Sequence, residues 1–171
     1  MANKTSLADK YLNRAYARID MTAVDTVTFQ QIRFSTGLFE GIALVLNRIK
    51  YYPLVTTLRA VAADTDYWIM ALTTRDDLTS LDPNSLSVLD TVSSIGVGAG
   101  VEPVQRPIIS DFTNAPGGGL LIPANPLYLA MDTAGFGAVV GGATVVLEYQ
   151  FIKLSDKESL ELLQTIIPGT T

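Results

Sequence analysis

ATVVLEYQFIK, residues 143–153, alternates with a period of two: Val145, Leu147, Tyr149 and Phe151 fall on one face, Glu148 and Gln150 on the other. Successive side chains of an extended chain point to opposite sides, so the stretch reads as an antiparallel strand with one buried and one solvated face. The same pattern recurs at 14–21, where Ala15, Ala17, Ile19 and Met21 alternate with Tyr16, Arg18 and Asp20, and again at 42–52, 67–74 and 127–132. These runs are rich in β-branched and aromatic residues. The stretch from Val27 to Phe34 changes phase, with Val27 and Phe29 on odd positions and Ile32 and Phe34 on even ones. A regular strand would turn half of these apolar groups outward, which predicts a bulge near Gln30 and Gln31.

Turn signals separate the runs: Asp82-Pro83-Asn84, the glycines at 96, 98 and 100, Asn114 to Gly119, Asn125-Pro126 and Gly141-Gly142. Roughly six to nine strands so spaced predict an all-β sandwich or barrel. One segment reads as helix. Ser155 and Glu158 match a capping box, Leu160, Leu163 and Ile167 form a stripe with Leu162 and Ile166 beside it, and Pro168-Gly169 ends the run. Residues 5–12 fit a weaker helical turn, and 78–91 fit either a strand or a short helix.

The 171 residues include no histidine and no cysteine. That removes Ser-His and Cys-His nucleophile pairs, imidazole proton shuttles, thiolate metal sites, iron–sulfur clusters and disulfides. A chain of this length is expected to form a single domain with a sizeable core. It is 48% hydrophobic and only 17% charged, against an average near 25%, so some apolar surface is expected to meet a partner. The net charge of −5 is unevenly spread. Lys4, Lys10, Arg14 and Arg18 face only Asp9 in the first 18 residues, whereas 60–140 is acidic, with Arg75 and Arg106 its only basic residues. The basic lead is a weak handle for phosphate or a solvated terminal segment. Lys4, Asp9, Lys10, Asn13 and Arg14 interrupt any apolar leader, so synthesis in the cytoplasm is expected. Prolines and glycines break the longest uncharged stretch, Phe112 to Met131, so no transmembrane segment is expected.

Motifs that suggest chemistry fail on spacing. Gly96, Gly98 and Gly100 lack the third glycine spacing and the following helix of a dinucleotide fingerprint, with Pro103 and Pro107 in the way. Gly117 to Gly119 is not followed by the Lys-Ser or Lys-Thr of a phosphate loop. Asp132-Thr133-Ala134-Gly135 departs from the aspartic-protease motif and has no second copy. Asp64 with Asp66, and Asp76 with Asp77, lack the further oxygen ligands calcium needs and read as acidic loop tips. Trp68 and Tyr51-Tyr52 fit either stacking on a ligand or packing in a core. No cofactor, metal or catalytic residue is expected.

The segments Gly41 to Pro53 (GIALVLNRIKYYP), Asp66 to Thr74 (DYWIMALTT) and Pro126 to Leu154 (PLYLAMDTAGFGAVVGGATVVLEYQFIKL), with a short basic lead and Gly/Pro-rich loops, resemble the single jelly-roll coat proteins of small icosahedral or tailless viruses. The resemblance is one of pattern across most of the chain. It implies a single jelly-roll antiparallel β-sandwich with a short C-terminal helix: an arm at 1–13, a sandwich core at 14–154 and the helix at 155–167. It implies a structural, non-enzymatic protein of the virion that assembles with copies of itself, alone or with a second capsid protein. Contact with packaged nucleic acid would be weak or indirect, through a short arm whose four basic residues are Lys4, Lys10, Arg14 and Arg18. The helix residues Leu160, Leu162, Leu163, Ile166 and Ile167 would serve subunit contacts. A carbohydrate-binding β-sandwich module is the alternative expectation, and a histidine-ligated cupin enzyme a weaker one.

Overall fold

A computed structural model describes residues 12–21, 23, 26–34, 42–54, 67–95, 107–115, 118–123, 126–134, 142–155 and 157. Nine strands run through them: β1 (Asn13–Asp20), β2 (Thr28–Ile32), β3 (Ile42–Leu54), β4 (Tyr67–Thr73), β5 (Val88–Ile95), β6 (Ile108–Asp111), β7 (Leu120–Pro123), β8 (Leu127–Ala134) and β9 (Gly142–Lys153). One sheet has the order β1-β9-β3, with β6 and β7 both paired along the far edge of β3; the other has the order β2-β8-β4-β5. Every pairing is antiparallel.

With β6 and β7 counted as two halves of one interrupted strand, the pairs nest. The first strand pairs with the last, the second with the next to last, the third with the interrupted one and the fourth with the fifth. An antiparallel ribbon folded in this nested way and rolled into two facing sheets is a jelly roll. The strand runs at 14–21, 42–52, 67–74, 127–132 and 143–153 correspond to β1, β3, β4, β8 and β9. Of the segment expected as helix over 155–167, only Ser155 and Lys157 lie among the described residues.

The core lies between the sheets and follows the alternation. Ala15, Ala17 and Ile19 of β1 and Val145, Leu147 and Tyr149 of β9 are buried against Met70 and Leu72 of β4 and Leu129 and Met131 of β8. Trp68 and Tyr51 belong to this core and are almost fully buried, so packing, not ligand stacking, is their use. Phe34, Tyr149 and Phe151 pack edge to face, with centroids 5.2 and 5.1 Å apart.

Two features depart from simple alternation. β2 pairs with β8 in unbroken register from Thr28 opposite Met131 to Ile32 opposite Leu127, so the bulge expected at Gln30 and Gln31 is absent. The phase change is accommodated because both faces of this strand find apolar cover. Ile32 and Phe34 join the inter-sheet core. Val27 and Phe29 pack outside the second sheet, against a smaller cluster of Ala71, Leu81, Val88 and Ala130. The connector between β4 and β5 lays Leu78 and Leu81 there. An Asx turn, in which the Asn84 N–H donates to the Asp82 carboxylate at 2.8 Å, tightens its bend.

The bulge occurs in β3 instead. Leu44 and Leu46 face the core, and then Ile49 and Tyr51 do, so inward parity switches across Asn47. β7 pairs with Ala43 to Leu46 and β6 with Arg48 to Tyr51, so the bulge also divides the edge partner in two. Asn47 holds the interruption at both ends: its carbonyl accepts from the Phe112 N–H, and its side-chain amide donates to the Gly118 carbonyl, each at 2.9 Å. Gly118 has φ +77°, and a Cβ on Gly119 would lie 2.8 Å from the Leu46 carbonyl oxygen, so this chain return needs both glycines.

The Tyr51 hydroxyl crosses from the first sheet to donate to Asp90 of β5 at 3.0 Å. Burial, then the neighbouring Asp90 charge, pushes the phenol well above its usual range, so it stays a donor at all ordinary pH values. Tyr51→Phe is expected to lower unfolding stability by about 1.5–3 kcal/mol, as for a hydrogen bond to a charged group. Urea denaturation should show a lower midpoint with an unchanged slope.

Candidate functional site

The outer face of the first sheet carries the unusual chemistry. Arg14 of β1 stands opposite Glu148 of β9, Glu148 opposite Arg48 of β3, and Arg48 opposite Asp111 of β6. One line across the four strands therefore alternates cation, carboxylate, cation, carboxylate. Arg14 donates to Glu148 at 2.9 Å, and Arg48 reaches Glu148 at 3.4 Å and Asp111 at 2.6 Å. Lys50, one row further along β3, donates to Glu148 at 2.7 Å.

Glu148 is only 3% exposed although it points away from the core, because the stems of its cationic neighbours cover it. The expected solvated face of β9 is thus closed over its one carboxylate. The Lys50 hydrogen bond, outweighing burial and aided by the charges of Lys50, Arg14 and Arg48, holds that carboxyl below its usual range. Asp111 is lowered to about 2, first by hydrogen bonds from the Thr113 hydroxyl and N–H and then by Arg48.

Apolar side chains flank the charged line. The next row reads Tyr16, Val146, Lys50 and Ile109 across the same strands, and Leu121 lies beyond Val45 on the other side. Tyr16 is 77% exposed, Ile109 51% and Leu121 39%, large values for side chains of this size. At the β1 side the face turns into an open groove of about 560 Å³ between the edges of β1 and β2, lined by Arg14, Tyr16, Arg18, Gln30, Gln31 and Arg33.

Of the residues expected to face nucleic acid, Arg14 and Arg18 stand within β1, not ahead of it, and each has a carboxylate partner: Glu148 for Arg14, and Asp20 for Arg18 at 2.9 Å. Lys4 and Lys10 lie outside the described residues, as do Asp64, Asp66, Leu160, Leu162, Leu163, Ile166, Ile167 and the glycines at 96, 98 and 100. Asp76 and Asp77 are exposed on the β4–β5 connector, where Arg75 pairs with Asp77 at 2.6 Å. Among the described residues no three acidic side chains cluster to hold a metal ion. Sequence reading missed Arg48, Lys50, Asp111 and Glu148 as a group. They are up to 100 positions apart, and only strand register assembles them.

Both carboxyls ionise more readily in the fold than in the open chain, so their stabilisation is present above the unfolded values and is lost as pH falls through the folded ones. Stability from these two carboxyls should be flat between about pH 5 and 9 and fall towards pH 2. Glu148→Gln should cost about 1–3 kcal/mol near neutrality, less than a fully buried pair because Arg14 and Arg48 reach water, and should flatten the acid limb. Thermal melts at pH 2.5, 4 and 7 would check both.

No protein-family model matches this sequence, and no curated protein compared with it does. Among solved structures the chain is similar to VP1 of Trichodysplasia spinulosa-associated polyomavirus, at 8% identity and a TM-score of 0.48, over 90% of this chain and 99% of that one. The strand order, independently of that likeness, makes this chain a single jelly-roll antiparallel β-sandwich, an architecture used by viral capsid proteins and also by lectins and cupins.

Proposed function

We propose that this protein is a structural building block whose copies assemble into a symmetric shell, as a capsid protein of a virion made in the host cytoplasm. The observation that carries the reading is the outer sheet face, where Tyr16, Ile109 and Leu121 stand exposed around a line of alternating charges. These apolar side chains are set around the charged line and not joined into one patch, so the contact surface combines both. The chain's low charge content supports the same reading.

The space between the sheets is filled by fully buried side chains such as Tyr51, Tyr149, Leu129 and Met70. Ligand chemistry of the cupin kind needs an open interior with metal ligands, and the sequence has no histidine to supply them. Of the aromatics that could stack on a sugar, Trp68 and Tyr51 are in the core, which leaves Tyr16 as the one strongly exposed ring among the described residues. Each subunit contact in such a shell is weak, and symmetry multiplies it. Nucleic-acid contact, if made through the basic lead, rests chiefly on Lys4 and Lys10, since Arg14 and Arg18 are already neutralised by carboxylates. A second capsid protein would meet the same contact surfaces.

Electron microscopy and sedimentation of the purified chain should show closed shells or rings, and a strict monomer at tens of micromolar would overturn the proposal. Deletion of 155–171, which removes the apolar stripe of Leu160, Leu162, Leu163, Ile166 and Ile167, should reduce assembly at least tenfold. Unchanged particles from that truncation would reject the helix as a contact element.

A further inference from the structure

The outer face of the first sheet is self-complementary, and its order specifies how. The sheet is four strands wide: β1, β9, β3 and then β6 and β7 end to end along the edge of β3. The rows across them read Arg14, Glu148, Arg48, Asp111 and then Tyr16, Val146, Lys50, Ile109. When a second copy faces this surface across a two-fold axis that runs parallel to the strands, left and right exchange while the rows stay level. Arg14 then lies over the other copy's Asp111, both side chains reaching the surface, and Tyr16 over its Ile109. A two-fold axis perpendicular to the strands would instead lay each strand over its own copy, and where it crosses the charged row it sets Arg14 over Arg14 and Asp111 over Asp111. Of these two, the first sets Arg14 over Asp111 and covers Tyr16 and Ile109 together.

We propose that two copies of this chain pack face to face through the outer surface of β1, β9, β3, β6 and β7, about a two-fold axis parallel to the strands. This deepens the assembly reading, on which it rests, by naming the face and the symmetry of one contact. The patch is four strands wide (~19 Å) and about four rows long (~27 Å), which gives roughly 500 Å² on each copy. The total of about 1,000 Å² meets the lower bound for a specific contact. Two twisted sheets pack well at the small angle that such an axis allows.

The charge balance favours a second copy over nucleic acid. Arg14, Arg18, Arg48 and Lys50 on this face are set against Asp20, Asp111 and Glu148, four charges less three, and every one of the four cations already has a carboxylate within ion-pair distance. A phosphate backbone would have to displace those carboxylates, whereas a second copy brings its surface carboxylate Asp111 over Arg14.

The test uses Tyr16→Lys and Ile109→Glu, singly and together, in the full-length chain. Both positions are highly exposed, so the fold should survive, which circular dichroism would verify. Within one copy the two positions sit on opposite edges of the patch, about 14 Å apart and beyond the ~8 Å screening length at physiological salt, so any mutual rescue must act between copies. Sedimentation equilibrium should show each single change weakening the dimer at least tenfold, and the double change restoring it to within about threefold of the unmodified chain, because the new cation of each copy lies over the new carboxylate of the other. Self-association unmoved by either single change, as it would be were residues 1–11 of the same chain or a nucleic acid the occupant, overturns the face-to-face contact. So does a double variant no better than the singles. Particles that persist in those cases leave the assembly reading standing, whereas an unmodified chain that is monomeric at every concentration removes both.

Discussion

The ladder between β3 and β9 ties Ile42 to Lys153 at one end and Leu54 to Gly142 at the other, and the rest of the first sheet takes its place from it. β1 reads the free edge of β9, and β6 and β7 read the free edge of β3. Because side chains alternate strictly along a strand, the register of this one pairing decides which residues enter the core and which form the outer face. A slip by one position would send Glu148 inward and Leu147 outward.

That slip is opposed from both sides of the sheet. Inside, Leu147, Tyr149, Ile49 and Tyr51 are packed without exposure. Outside, Glu148 meets Arg14, Arg48 and Lys50 only in the native register. Taking a carboxylate out of water is costly, and three cations on neighbouring strands offset that cost without making a large net gain. The charged line therefore contributes more to a unique pairing than to overall stability, as polar groups at register-defining positions do elsewhere. The same line gives the outer face of the sheet its alternating polarity.

The bulge at Asn47 has a comparable double effect. It restores the inward phase of β3 after Leu46, and it splits the edge partner into β6 and β7. Ile109 and Leu121 come to the outer face on either side of the charged line because of that split. The Gly117 to Gly119 stretch, which invites a phosphate-loop reading, is explained at Gly118 and Gly119 by the sharp return of the chain beside Leu46.

Alternation was enough to locate β1, β3, β4, β8 and β9 from the residues alone, since each buries one face and exposes the other. The absence of histidine and cysteine likewise bounded the chemistry before any contact was known. β6 and β7, four residues each, are too short for a period to register, and β2 misled because Val27 and Phe29 are covered by Leu78 and Leu81 from a distant connector. Glu148 looked solvated, because nothing local reveals that Arg14, 134 positions away, and Arg48, 100 away, will close over it. Local pattern thus determined which segments extend and which face of each is apolar. Strand order, the site of the bulge and the charged outer face were decided only when non-local hydrogen bonding set one strand beside another, because the energy that selects a register belongs to pairs of strands and not to either sequence by itself.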